Sequence, residues 1–225
     1  MKFSGFQKVS LIDYPERIAS VLFTPGCNLR CPFCHNWRIV VDPKPPFLQE
    51  ATVLEILEKR KKYVDTVVVT GGEPTMHKEL PKLLAKLKER GFTVKLDTNG
   101  FYPEVLEECL THVDYVALDV KTSPQEYSKL GASDTREFMR SAELLKTGKV
   151  NYEFRTTVVP GIVRLDNVDA IGALIKGTET YALQQFVPDN ALDAQFRNLK
   201  PYSPEILVKF AEAFKPHAEK VILRV

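Results

Sequence analysis

Short apolar runs and amphipathic stretches alternate about six times along most of this chain, and that alternation constrains the fold more than any other feature. Residues 18–23, 67–69, 93–96, 115–120, 152–158 and 181–186 read as buried strands. Between them, the apolar spacing predicts helices over 51–62, 79–90, 103–110, 135–146 and 167–175, with Gly91 stopping the second and Pro103 opening the third. Strands joined through helices by short links pair in parallel. Eight such units would close a barrel, whereas six describe an open doubly wound sheet as well as an incomplete barrel. Either arrangement gathers its functional residues at the C-terminal ends of the strands. Residues 3–12 read as an edge strand, 40–47 as an extended, proline-rich segment across the mouth of the site, 204–214 as a last helix and 221–225 as a terminal strand.

A chain of 225 residues can bury a substantial core, and one domain spanning 1–225 is expected. A net charge of +2, with 27% charged and 44% hydrophobic residues, suits a soluble globular protein and gives no bulk reason to expect nucleic acid or membrane. The segment Met1-Lys2-Phe3-Ser4-Gly5-Phe6 lacks the apolar run of a secretion signal, so a cytoplasmic location is expected. Charged stretches such as Glu58-Lys59-Arg60-Lys61-Lys62 read as solvated helix faces.

Three of the four cysteines, Cys27, Cys31 and Cys34, follow the first buried strand with C-x3-C-x2-C spacing, while Cys109 lies far away. Three thiolates on one short loop can each hold one iron of a cubane 4Fe-4S cluster and leave the fourth iron open, the mark of a centre that binds substrate. Other readings compete. Cys31-Pro32-Phe33-Cys34 alone would suit a dithiol redox pair, but such a pair needs no third thiol. A zinc site recruiting His35 would need adjacent residues, Cys34 and His35, to face one metal. Disulfides would need an oxidising compartment. Cys109 reads as buried packing, and one cysteine is too few for an auxiliary cluster.

On these residues the chain resembles the radical S-adenosylmethionine (SAM) superfamily, whose C-x3-C-x2-C loop binds a 4Fe-4S cluster and whose open iron chelates the amino and carboxylate groups of SAM. Leu11-Ile12-Asp13-Tyr14-Pro15 ahead of Phe23-Thr24-Pro25-Gly26-Cys27-Asn28, with Cys34-His35-Asn36 closing the loop, is similar to the activating proteins of glycyl radical enzymes. Those of anaerobic ribonucleoside-triphosphate reductase are the nearest in pattern. The resemblance implies an α/β fold, a partial TIM barrel of (β/α)6 type.

It also assigns roles to the residues that follow the strands. Gly71-Gly72-Glu73-Pro74 would otherwise be a plain turn, and resembles the motif whose backbone binds the SAM amino group. Asp97-Thr98-Asn99-Gly100 could likewise be a turn. By resemblance, Thr98 and Asn99 lie at SAM. Asp97, Thr98, the Ala117 carbonyl and Asp119 hold a monovalent cation, and Lys121 faces the SAM carboxylate. Two carboxylates at neighbouring strand ends do repel unless a cation or proton lies between them. Arg155, charged within an apolar strand, needs an anion: either a ligand, or an ion pair with Glu153 or another acid. Phe33, His35 and Asn36 would border SAM, the first two at its adenine, and Asp13 would meet the incoming glycine loop. No histidine follows the sixth strand where pyruvate formate-lyase activases use one, which leaves Gln184 or Gln185 for that contact.

The implied reaction begins with an electron from ferredoxin or flavodoxin. The cluster passes it to SAM, and the resulting 5'-deoxyadenosyl radical takes a hydrogen from a glycine of the partner, expected to be anaerobic ribonucleotide reductase. A deazapurine synthase-like enzyme, with the same cofactors and a small-molecule or nucleoside substrate, is the alternative, and a zinc or redox binding module is the non-enzyme reading.

Overall fold

A computed structural model describes residues 1–225. Two short strands, β1 (Lys2–Phe3) and β4 (Leu48–Gln49), pair with each other beside the main sheet. That sheet contains β2 (Gly5–Tyr14), β3 (Arg17–Thr24), β5 (Thr66–Gly71), β6 (Thr93–Thr98), β7 (Tyr115–Asp119), β8 (Asn151–Val158), β9 (Thr178–Gln185) and β10 (Ala218–Arg224). Its order is β10-β9-β8-β7-β6-β5-β3-β2, with β2 antiparallel to β3 and every other pairing parallel.

The order never reverses from β3 to β10. A doubly wound sheet needs such a reversal, so that alternative falls, and crossovers of one hand then place the helices on one face. The edges β2 and β10 do not pair, which leaves the barrel partial and open along one side. β10 adds a seventh parallel strand to the six anticipated units. The helices are α1 (Trp37–Val41), α2 (Glu50–Arg60), α3 (Leu80–Glu89), α4 (Pro103–Cys109), α5 (Arg136–Lys146), α6 (Val168–Ile175), α7 (Ala194–Arg197) and α8 (Pro204–Phe214). Val40 and Val41, expected to be extended, instead end the short helix α1, and the chain beyond them leads to β4. No helix is long and apolar enough to cross a membrane.

Strand alternation separates two environments. Leu22, Val67, Val69, Val94, Leu96, Val116, Leu118 and Phe154 face the helices within a core of 43 buried residues. Each such side chain contributes roughly 1.5–3 kcal/mol through removal from water. Val68 turns the other way and packs with Tyr14, Ala19 and Val21 in the lumen. β5 is therefore covered on both faces, which explains its unbroken apolar run. Farther along the lumen the residues become polar: Lys95 and Asp97 on β6, Tyr115 and Asp119 on β7, Glu153 and Arg155 on β8, and Arg224 on β10.

Candidate active site

The cysteine loop leaves the C-terminal end of β3 and is fastened from several sides. Gly26 N–H donates to Ile39 O at 2.7 Å, Arg30 N–H to Leu130 O at 2.8 Å, and Asp193 N–H to Pro32 O at 2.8 Å. The Arg30 side chain folds back onto the loop, donating to Cys27 O at 2.6 Å and Leu29 O at 2.8 Å. Cys31 is buried and Cys27 and Cys34 are partly so, and none of the three is in a disulfide. Burial pushes the Cys27 thiol up to about 11, with Glu73 adding to the effect, and the Cys31 thiol up to about 12. Metal uptake by these thiols therefore displaces protons. Leu29 N–H and Asn99 Nδ2 lie 3.3 and 3.5 Å from Cys27 Sγ, positions from which they donate to a thiolate.

Beneath this loop runs the turn after β5. Gly72 N–H donates to Thr24 O at 2.9 Å and Glu73 N–H to Gly26 O at 2.8 Å, so the two backbones touch directly. A Cβ on Gly72 would lie 1.7 Å from Gly26 O, which restricts this position to glycine. Asn36 Nδ2 reaches across to Gly71 O at 2.8 Å.

Glu73 is 1% exposed and has no cationic partner. Its carboxylate instead accepts from Thr75 N–H at 3.0 Å, Thr75 Oγ1 at 2.5 Å, Thr98 Oγ1 at 2.7 Å and Asn99 N–H at 2.7 Å. Burial raises its pKa against these donors. Glu73 thus ties the β5 turn to the β6 turn. Asn99 extends the tie, donating to Asn28 Oδ1 at 2.8 Å, on the cysteine loop itself.

On the lumen side a line of charges crosses three strands. Lys95 Nζ lies 2.9 Å from Asp97 Oδ1, and Arg155 Nη2 donates to Asp97 Oδ2 at 3.2 Å. Arg155 Nε donates to Asp119 Oδ1 at 2.6 Å, and Lys121 Nζ to Asp119 Oδ2 at 2.8 Å. Burial alone would raise both carboxyls. The cations together outweigh it, Arg155 with Lys95 at Asp97 and Arg155 with Lys121 at Asp119, and the Asp119 carboxyl stays well below the usual carboxylate range. Lys121 is pulled down by burial and held up by Asp119, with the Cys31 sulfur as a further charge partner. Its positive charge also lowers the Cys27 and Cys34 thiols against the effect of burial, so the line of charges is felt at all three sulfurs. Tyr127, fully buried, fixes the Lys121 backbone by accepting its N–H at 2.9 Å.

The anticipated residues divide by position. Cys27, Cys31, Cys34, Asn36, Gly71, Gly72, Glu73, Asn99 and Lys121 meet around one loop. Phe33 is buried and its ring packs 6.5 Å from that of Phe196. His35 is exposed, with its ring bonded to Val187 O and 6.4 Å from Phe186. Thr98 follows Asp97 on β6 and points to the opposite face, towards Glu73. Ala117 is the neighbour of Asp97 in the ladder. Arg155 pairs with Asp97 and Asp119, not with Glu153, which binds Arg224 and Tyr115. Asp13 lies at the opposite end of β3 from the cysteine loop, its side chain held by Ser10 at 2.5 Å. The register places Gln184 on the lumen face with Arg155, while Gln185 turns away and donates to Tyr202 O at 3.2 Å.

Sequence reasoning passed over Lys95, Asn28, Tyr127 and the segment 187–193 that closes onto His35 and Pro32. For Lys95 a signal existed: a lysine between Val94 and Leu96, two residues before Asp97, is a charge on the inner face of a strand.

Three thiols carried on one loop at the strand ends are the donor set of an iron-sulfur cluster with one iron left open, and Lys121 adds a positive charge beside them. Residues 21–171 match the radical SAM superfamily. The chain belongs to that superfamily. Membership implies a 4Fe-4S cluster and SAM, and the residues present fit both. A protein of Methanocaldococcus jannaschii that provisionally carries the name glycyl-radical enzyme activating enzyme is 35% identical over 98% of this chain and 95% of its own length. The pyruvate formate-lyase-activating enzyme of Staphylococcus aureus is 31% identical over 83% of this chain and 80% of its own. Among solved structures, QueE from Escherichia coli superposes with a TM-score of 0.58 at 16% identity, covering all of this chain and 93% of QueE. Streptococcus suis SuiB gives a TM-score of 0.69 at 15% identity, and this chain spans about half of it, 52%. At these identities the two structures report on fold alone.

Proposed function

We propose that this radical SAM enzyme is an activase that generates a glycyl radical on a partner protein, anaerobic ribonucleotide reductase, with ferredoxin or flavodoxin as electron donor. The observation that carries the reading is the meeting of three cysteine thiols and the Lys121 ammonium at the mouth of an open sheet. The names of the relatives support the reaction class. The run Leu11-Ile12-Asp13-Tyr14-Pro15 supports the reductase as partner.

When bound, the cluster and SAM supply a one-electron cleavage that delivers a hydrogen-abstracting radical. The chain supplies position and charge. Cys27, Cys31 and Cys34 would hold three irons, with Leu29 N–H and Asn99 Nδ2 beside the Cys27 sulfur. Lys121 would attract the SAM carboxylate in a partly desolvated site, where a charge-assisted bond is stronger than in water. Carbonyls of the Gly71–Glu73 turn would accept from the SAM amino group, because the N–H groups of Gly72 and Glu73 already bond to the cysteine loop.

Substrate access favours a peptide. β2 and β10 leave the barrel open along one side, and a cleft beside the cysteine loop is lined by Asn28, Phe101, Tyr102, Ala132, Ser133 and Arg136. The test is electron paramagnetic resonance of the reductase after incubation with this protein, SAM and a reductant. A glycyl radical doublet is expected, and deuterium placed on the reductase glycine should appear in 5'-deoxyadenosine. A reductase that stays radical-free while a deazapurine precursor is turned over would overturn the activase reading.

A further inference from the structure

The pair Asp97 and Asp119 is already neutralised by the chain's own side chains. All four carboxylate oxygens are met: Asp97 Oδ1 by Lys95 at 2.9 Å, Asp97 Oδ2 by Arg155 at 3.2 Å, Asp119 Oδ1 by Arg155 at 2.6 Å and Asp119 Oδ2 by Lys121 at 2.8 Å. Three positive groups therefore face two negative ones before any ion is added. Of the other groups expected around a monovalent cation, the Thr98 hydroxyl turns away from the pair. The Thr98 hydroxyl lies on the opposite face of β6, donating to Glu73 at 2.7 Å and accepting Gly100 N–H at 3.0 Å. A metal ion does not fit this arrangement unless a lysine leaves.

Lys95 is the residue that makes the difference. It is 1% exposed, and a lysine so buried is costly unless its charge is met. Its ammonium donates to Asp13 O at 2.5 Å and otherwise rests against Asp97 Oδ1. That oxygen is buried and receives no directed hydrogen bond, so Lys95 acts on it as a point charge, which is how an alkali ion would act. Strand β6 is paired on both sides, to β5 and β7, so the stem of the lysine is held in place. A tethered charge of this kind is always present, whereas a dissolved ion must be captured.

We propose that the Lys95 ammonium takes the place of a monovalent metal cation at the SAM site, making the site independent of sodium and potassium. Lys95 is then a positioning residue. By neutralising Asp97 it leaves Arg155 shared with Asp119, and Asp119 in turn aims Lys121 at the sulfurs. The SAM arm of the test rests on the function proposed above, and the unfolding arm does not.

The experiment measures SAM affinity and unfolding temperature of the cluster-loaded protein in sodium, potassium and choline chloride at equal ionic strength. For the wild type, both are expected to be the same in the three salts, with affinity differing by less than about twofold. Lys95→Gln should bind SAM about tenfold more weakly in choline chloride and recover in sodium or potassium chloride, because a small ion then fills the vacated position. Its unfolding temperature should become salt-specific in the same order. Lys95→Arg should stay indifferent to the salt. A wild type that binds SAM about tenfold better in sodium or potassium than in choline would overturn the proposal, as would a Lys95→Gln protein as indifferent and as tight-binding as the wild type. If Lys95→Gln does not fold, the wild-type series and Lys95→Arg still decide. If the wild type binds no SAM in any salt, the SAM reading fails, and unfolding temperatures still test Lys95.

Discussion

At the scale of single residues, the site separates groups that would touch cofactor from groups that hold those groups still. Replacing Cys31 by alanine removes one of three thiolate ligands, and a cluster bound by three cannot lose one without losing affinity. Iron and sulfide content of anaerobically reconstituted Cys31→Ala protein is expected to fall to background along with SAM cleavage, whereas Cys109→Ala, altering a thiol buried far from the loop in sequence, keeps both. Lys121→Ala is expected to weaken SAM binding at least about tenfold, because the charge it removes lies in a pocket partly shielded from solvent. Lys82→Ala, on the exposed face of α3, is expected to change it by less than about twofold, as lone surface charges do. Equal affinities in these two variants, measured by titration of the cluster-loaded protein, would remove Lys121 from the site. The cysteines and Lys121 were legible because each belongs to a short motif at a strand end. Lys95 was legible only as a charge on the same strand face as Asp97, and its partner Asp13 O, 82 positions away in the chain, was not.

At the scale of elements, the turns between strands and helices carry ties that local sequence does not reveal. Glu126, in a 3-10 turn (Pro124–Leu130), accepts from Lys129 at 2.7 Å, from Asn167 at 3.1 Å and from Arg164 at 3.3 Å, joining that turn to the start of α6. Burial would raise its carboxyl, but these partners outweigh it and hold the pKa down at about 2. A carboxyl depressed on folding contributes stability that is complete above the unfolded value of about 4.3 and is lost as pH falls through the folded one. The unfolding temperature of Glu126→Gln is therefore expected to lie below that of the wild type at pH 6, and the gap to close as pH approaches about 2. A gap unchanged across that range would mean the carboxylate charge is not what ties the turn. The regular elements were readable from apolar spacing, and the predicted strands and helices differ from the observed ones mainly at their ends. What escaped were α7, the turn holding Glu126 and the helical character of Val40 and Val41, all too short for periodicity to register.

At the scale of the whole molecule, the lumen holds a second buried ion pair besides the charges of the site, Glu153 with Arg224. Inside the lumen, Glu153 is fully buried and accepts from Arg224 at 2.7 and 2.5 Å and from Tyr115 Oη at 3.0 Å, while the Tyr115 ring lies 5.7 Å from that of Tyr14. Arg224 comes from β10, the seventh parallel strand, so the terminal strand completes the lumen by neutralising an acid two strands away. Six strand–helix units were legible in the sequence, but this use of the last strand was not, since it joins residues 71 apart. Removing one partner of a buried ion pair costs about 3–5 kcal/mol, because the other charge stays buried, whereas replacing both can be nearly neutral. Arg224→Met is thus expected to lower the unfolding temperature sharply, and Glu153→Gln combined with it to recover most of the loss. The pair Glu153–Arg224 shares no ion-paired residue with the line Asp97–Arg155–Asp119–Lys121, and the Glu153 charge reaches that line only at longer range, through Arg155. Folded Arg224→Met protein, assayed well below its unfolding temperature, should therefore keep wild-type SAM affinity. A drop in affinity that follows the loss of stability would show that this pair and the site are coupled and that β10 contributes to the site itself.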